Sequence, residues 1–231
     1  MVILKFALMR SLKSPVAILA SFILPVMFML MSDLWGEALG GMMDGRGYYM
    51  IPLVMLFGTF PLTGGMTRER RDKIVVRIMS TPTTTFSYLF QNLLACMIPL
   101  FIQVIVVCTL GVVMHNWTAE FTASIGVLYL LFAMTSVTFN FAWNCLFKNA
   151  EISFGVLASV LTFAAFILML PLAVFPDVIR TAFMILPTYW IASGLDELIT
   201  YGITAQLGIS MGILSLFVAI FLLYGSKRGT Y

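Results

Sequence analysis

The sequence predicts an all-α membrane protein that crosses a lipid bilayer six times. Three observations predict it. Of the 231 residues, 61% are hydrophobic and only 10% are charged, and mean hydropathy is +1.03. A soluble domain carries about 25% charged residues, and one water-soluble core could not hide this much apolar surface. The apolar residues fall in long continuous runs, whereas a barrel shows short segments of alternating polarity. Only helices and closed barrels satisfy every backbone group in lipid, so the runs read as helices. The charges, finally, gather between the runs.

The N-terminal stretch Met1 to Ser14 carries Leu4, Leu8 and Leu12 at helical spacing, and Pro15 closes it. It reads as an interfacial helix on the inner leaflet or as a plain extension of the first span. Lys5, Arg10 and Lys13 are scattered through it, unlike the basic start of a cleaved signal peptide.

A span needs about 20 apolar residues. Six stretches qualify: 16–34, 48–66, 90–114, 121–146, 152–175 and 207–224. Pro25 lies in the first, Pro52 and Pro61 in the second, and Pro171 near the end of the fifth. A further apolar stretch, Ile179 to Ile199, is interrupted by Pro187, Gly194, Asp196 and Glu197. It reads as short re-entrant helices before the sixth span. No linker divides the chain, so residues 1–231 read as one membrane domain.

Charge sets the expected orientation. Cytoplasmic loops carry excess Lys and Arg. With both termini inside, Lys5, Arg10, Lys13, Arg68, Arg70, Arg71, Lys73, Arg77, Lys148, Lys227 and Arg228 are cytoplasmic, which is 11 of the 13 basic residues. Asp33, Glu37, Asp44, Glu120, Asp177, Asp196 and Glu197 then lie outside. A seventh span would put Lys227 and Arg228 outside and spoil the partition. The formal net charge of +3 comes from this inner-face bias and implies no nucleic acid partner.

The span interiors hold no Asp, Glu, Lys, Arg or His. Intramembrane catalysis and ion-coupled transport need such groups. No paired carboxylates, zinc-protease motif, nucleophile triad or phosphate-binding Gly-rich loop appears. Cys96, Cys108 and Cys145 fit neither a metal site nor a disulfide framework, and they read as small core residues. His115 sits in a short outer turn with Asn116 and Trp117 and reads as an interface residue. The expectation is no catalytic residue, no metal and no cofactor bound by this chain.

The polar residues within spans are neutral. Gln103 lies in the third, and Asn140 and Asn144 share one face of the fourth with Thr135, Ser136 and Thr138 nearby. They mark either a substrate path or helix–helix hydrogen bonding. Gly208 and Gly212 in the last span form a pair that permits close helix approach.

The loop from Thr67 to Phe86 is the most charged. Ile74, Val75, Ile78 and Met79 recur at helical spacing, with Arg71 and Lys73 near the start and Thr81-Pro82 closing it. A short amphipathic helix at the inner surface fits. It serves as an anchor to anionic lipid or as a docking surface for a soluble partner.

Here the chain resembles a known family. Glu69-Arg70, a basic and apolar stretch and then Thr81-Pro82 are similar to the signature after the second span of ABC-2 type transporter permeases. Leu186-Pro187, Tyr189-Trp190 and Leu195 to Gly202 resemble the element before that family's last span. Lys73 stands where many members have glycine, and Arg77 adds a charge to a usually apolar stretch. The resemblance implies a permease working with a separate cytoplasmic ATP-binding subunit and a second permease copy or paralogue. ATP and Mg would sit on that partner. It implies that Glu69, Arg70, Arg71, Lys73, Arg77, Thr81 and Pro82 form the coupling region that receives the ATPase motion. The expected cargo is amphipathic or hydrophobic: a drug, a peptide or a lipid. The expected setting is a bacterial inner or cell membrane. The alternatives are a channel, carrier or scaffold acting without an ATPase.

Overall fold

The computed structural model describes residues 6–9, 19, 23–30, 47–71, 84–146, 150–169 and 175–228. Among them the ordered elements are helices, with no strands. They are α1 (Leu24–Leu30), α2 (Gly47–Arg71), α3 (Thr85–His115), α4 (Ala119–Leu146), α5 (Ala150–Met169), α6 (Asp177–Phe183), α7 (Pro187–Thr200) and α8 (Ala205–Arg228). Phe6 to Met9 are also helical. The rest of the expected N-terminal interfacial helix lies outside the described residues, as does most of the first expected span around α1.

By length and composition, α3, α4 and α8 can cross a membrane, and the bent pair α6–α7 counts as a fourth crossing if it is one broken span. Within α2, Tyr48–Thr63 is a shorter apolar helix. The boundaries differ from the hydropathy reading in one direction. Helix α3 starts at Thr85 rather than Phe90, because the Thr84 hydroxyl caps it by accepting from the Ser87 N–H at 3.2 Å. Helix α4 starts at Ala119, where Thr118 accepts from the Phe121 N–H at 3.3 Å. Hydropathy marks where the apolar residues begin; the caps mark where the helix begins.

Two further boundaries moved. The second span does not give way to a loop at Thr67: α2 stays helical to Arg71, through Pro52 and Pro61. Proline removes one backbone donor, and within α2 the Thr59 and Thr63 hydroxyls donate to the carbonyls of Leu56 and Thr59. In the fifth expected span, α5 is described from Ala150 to Met169, residues 170–174 lie outside the described residues, and Phe175 lies in a bend.

Helix α4 is the centre of the bundle. It touches α2, α3, α5, α7 and α8. Of its most apolar stretch, 72% is buried, against 44% in α3 and 22% in α8. Tyr129, Phe132, Phe141, Ile125 and Leu128 are fully buried there. In lipid such packing rests on dispersion and close fit rather than on exclusion of water. Around α3, α4 and α8, the exposed side chains are large and apolar, among them Phe101, Ile105, Val127, Leu216 and Ile220.

The bundle has two ends. At one end α3 turns into α4 through Asn116, whose left-handed backbone (φ 50°) asparagine tolerates. Trp117 folds back onto α3 and lies flat on Gly111, in space that any Cβ would occupy. Tyr48, His115 and Phe121 surround it, with ring centroids 5.4, 6.5 and 5.1 Å from the indole. At the other end the Cys145 Sγ approaches the Gly225 carbonyl at 3.6 Å, and Gly225 also meets Leu89.

The segment expected to be interrupted breaks only before Pro187: Gly194, Asp196 and Glu197 lie inside α7, which runs unbroken to Thr200. Helices α6 and α7 meet at 111°. Pro187 opens α7 at a position where its missing N–H costs nothing, and it holds Leu186 extended (φ −97°, ψ 137°). The Trp190 indole N–H donates to the Met184 carbonyl at 2.8 Å and closes the corner. Gly202 supplies the positive φ (80°) between α7 and α8. Thr204 then caps α8 and donates to Glu197 at 2.7 Å.

Candidate functional site

Three levels along α2 carry polar contacts, which tie it to α7, α4 and α3. At the Trp117 end, the Tyr49 hydroxyl donates to the Asp196 carboxylate on α7. Nearby, the Tyr129 hydroxyl of α4 donates to the Tyr48 carbonyl at 2.8 Å. Asp196, expected to interrupt its segment, lies inside α7, and this bond gives its carboxylate a partner.

At the middle level, Asn140 on α4 is buried and its side-chain amide donates to the Thr59 hydroxyl at 2.9 Å and to the Ser136 carbonyl at 3.1 Å. Thr59 is fully buried and passes its own proton to the Leu56 carbonyl at 2.9 Å. Around Asn140, Thr135, Ser136 and Thr138 return their hydroxyls to carbonyls one turn back on α4. Thr135 also reaches the Leu214 carbonyl of α8 at 3.3 Å. Asn144 is half-buried one turn further along.

Gln103 differs. It is 1% exposed, and neither its amide nitrogen nor its amide oxygen has a hydrogen-bond partner. Counted from the Asn116 turn, it lies level with residues near 131, about 13 Å along the helix axis from Asn140. No hydrogen bond joins the two. The buried hydroxyls of Thr188 on α7 and Ser210 on α8 also lack partners. An unpaired amide in an apolar core costs roughly 1–3 kcal/mol or more.

At the opposite end, Glu69 lies in the last turn of α2. Its carboxylate accepts from the Tyr88 hydroxyl of α3 at 2.6 Å. Tyr88 is 2% exposed, and its carbonyl accepts from the Asn92 amide at 2.9 Å. Arg70 and Arg71 continue the same helix, with side chains outside the described ones. Lys73, Arg77, Thr81 and Pro82 lie outside the described residues, as does the amphipathic stretch around Ile74 to Met79.

The tertiary contacts thus join Glu69 to Tyr88 and Asn140 to Thr59, and they leave Gln103 apart. Sequence reading missed Tyr88, Thr59 and Tyr49. Each is an ordinary residue inside an apolar run, and only the partner makes it notable. Gly208 and Gly212 are exposed, and a Cβ on either would meet nothing within 4 Å. Among the described residues they mediate no helix contact. Cys96 is buried, Cys108 and Cys145 are half-buried, and none of the three forms a disulfide. Among the described residues, no group of His, Cys, Asp or Glu could hold a metal ion.

Residues 37–227 match the family model described as ABC-2 family transporter protein. Neither the curated proteins nor the solved structures give a significant match. The match runs from before α2 to the last turn of α8, and so takes in all three levels of polar contact. The chain therefore belongs to the ABC-2 transporter family, as a membrane-embedded, multi-pass permease subunit of an ABC transporter.

Proposed function

We propose that this chain is the permease of an ATP-driven exporter of amphipathic or hydrophobic cargo, paired with a separate ATP-binding subunit. The observation that carries this reading is the charged end of α2. Arg68, Glu69, Arg70 and Arg71 follow the apolar part of one helix without a break. A rigid helix that leaves the lipid with its charges attached is a lever that a soluble motor can push. Glu69 to Pro82, including Lys73, Arg77 and Thr81, then forms the contact surface with the ATPase, which brings its own ATP and Mg.

The positive-inside bias supports placing this end, and both termini, in the cytoplasm of a bacterial cell or inner membrane. In this arrangement the chain makes six crossings. Its α6–α7 corner is a re-entrant segment at the outer face, and a second copy or a paralogue completes the transporter. Gln103, Asn140 and Asn144 line the cargo side of the spans. The scarcity of intramembrane charge favours drugs, lipids or hydrophobic peptides over ionic cargo.

The test is co-purification followed by charge reversal. Tagged protein should bring down an ATP-binding subunit. Reversing Glu69, Arg70 and Arg71 together should abolish ATP-dependent transport and leave membrane insertion intact. Normal transport by that triple variant would remove the coupling assignment. Cargo movement by the purified chain alone in liposomes would favour a channel or carrier.

A further inference from the structure

Tyr88 belongs to no motif that the family resemblance supplies, yet it holds the entrance and the exit of the charged loop together. The loop leaves from the last turn of α2 and re-enters at the first turn of α3, which the Thr84 cap begins. A push on such a loop could swing α2 alone, α3 alone or both. The Tyr88 hydroxyl reaches the Glu69 carboxylate at 2.6 Å. Hydrogen bonds to carboxylates are among the stronger ones available. The Tyr88 ring is buried at 2% exposure, so its hydroxyl is held in place rather than swung through water. The Asn92 amide fixes the Tyr88 carbonyl one turn on. A weaker polar approach between the two helices brings the Cys96 Sγ to within 3.9 Å of the Leu62 carbonyl.

We infer that Tyr88 is a positioning residue that pins α3 to α2 through Glu69, so that force applied to the loop moves both helices as one unit. This rests on the coupling reading above. It gives Glu69 an inward task, distinct from touching the ATPase, and it divides the labour within the loop. Glu69 turns to Tyr88.

The experiment uses the full complex of this chain with its ATP-binding subunit in liposomes. The probe is whichever of an NBD-labelled phospholipid and rhodamine 6G the wild type moves. The readout is probe moved per ATP hydrolysed, in wild type, Tyr88→Phe, Glu69→Leu and Glu69→Gln. Tyr88→Phe should assemble and hydrolyse ATP within about twofold of wild type, while probe moved per ATP falls about tenfold, as loss of a strong hydrogen bond predicts; Glu69→Leu should lower the same ratio. Glu69→Gln keeps an oxygen that accepts from Tyr88 and should retain most of the ratio. An unchanged ratio in Tyr88→Phe overturns the pin. So does a proportional fall of hydrolysis and transport, which marks a merely structural contact.

A second measurement needs no ATPase. Amide exchange in detergent should quicken at residues 84–92 in Tyr88→Phe and not in Glu69→Gln. Unchanged exchange overturns the pin by itself. A wild-type complex that binds no ATPase removes the coupling reading, and the exchange result still stands.

Discussion

The Asn140 amide and the Thr59 hydroxyl, 81 residues apart in sequence, meet at 2.9 Å in the buried centre of the bundle. Thr59 passes its proton on to Leu56, and Asn140 gives a second hydrogen to Ser136. The bond joins α2 to the most buried helix at mid-depth. It lies between the Tyr49–Asp196 bond at one end of α2 and the Glu69–Tyr88 bond at the other. Tyr49 and Glu69 are separated by about 30 Å of helix, the thickness of a hydrocarbon core.

Thr59→Val should destabilise the protein by about 1 kcal/mol. The variant keeps the shape of the side chain and removes the acceptor. Interhelical hydrogen bonds in membranes are worth about 0.6 kcal/mol on average and up to about 1.7. A double-mutant cycle with Asn140→Leu, followed by thermal unfolding in detergent, should return a coupling energy in that range. Zero coupling would remove the pair as a helix tie.

Gln103→Met should behave in the opposite way. The replacement keeps the length and removes two unpaired polar groups, so stability should rise by about 1–3 kcal/mol. An amide retained at that cost has a task when the transporter works. Transport in the same variant should therefore fall, with ATP hydrolysis retained. Raised stability with undiminished transport would take Gln103 off the cargo route.

One substitution, glycine to alanine, should separate two parts of the fold. At Gly111 the added Cβ meets the Trp117 ring. The indole must leave its place against Tyr48 and Phe121, and overpacking of this kind costs about 1–3 kcal/mol. At Gly208 and Gly212 the added methyl enters open space. Stability there should hold within about 0.5 kcal/mol. Melting temperatures of the three single variants decide it.

Tyr49→Phe should loosen α7 without unfolding the bundle. The Asp196 carboxylate loses its α2 partner, while the Thr204–Glu197 bond and the Trp190 corner remain. Hydrogen exchange should accelerate at residues 187–200 and stay unchanged in the centre of α4. Uniform acceleration would show that the contact supports the whole fold rather than one segment.

The solvent, the element type and the family were legible in the residues. Long apolar runs dictate helices in lipid because backbone groups have no other partner there, and each run contains helical residues where it is described. The corner between α6 and α7 was legible from Leu186-Pro187, because proline constrains its own backbone and its predecessor's. Helix starts were read late. Thr84 and Thr118 are polar caps that extend α3 and α4 beyond their apolar stretches.

The pairs were not legible. Asn140 stood out as a neutral polar residue in a span, and the sequence left two uses open for it. Which hydroxyl it meets depends on how α2 crosses α4, and no local pattern encodes a contact across 81 residues. Gln103 looked equivalent to Asn140 in sequence, yet only the packing shows that one amide is bonded and the other is not. The Gly208–Gly212 spacing marked a surface able to pack closely, and the fold turned it outward. Composition and charge placement alone determined that this chain lives in a membrane and which of its ends is basic, because solvent preference is a property of each side chain. Only the tertiary structure decided that Glu69 belongs with Tyr88, Asp196 with Tyr49 and Asn140 with Thr59, because a hydrogen bond needs two groups within about 3 Å, and distance in space is set by helix packing rather than by position in the chain.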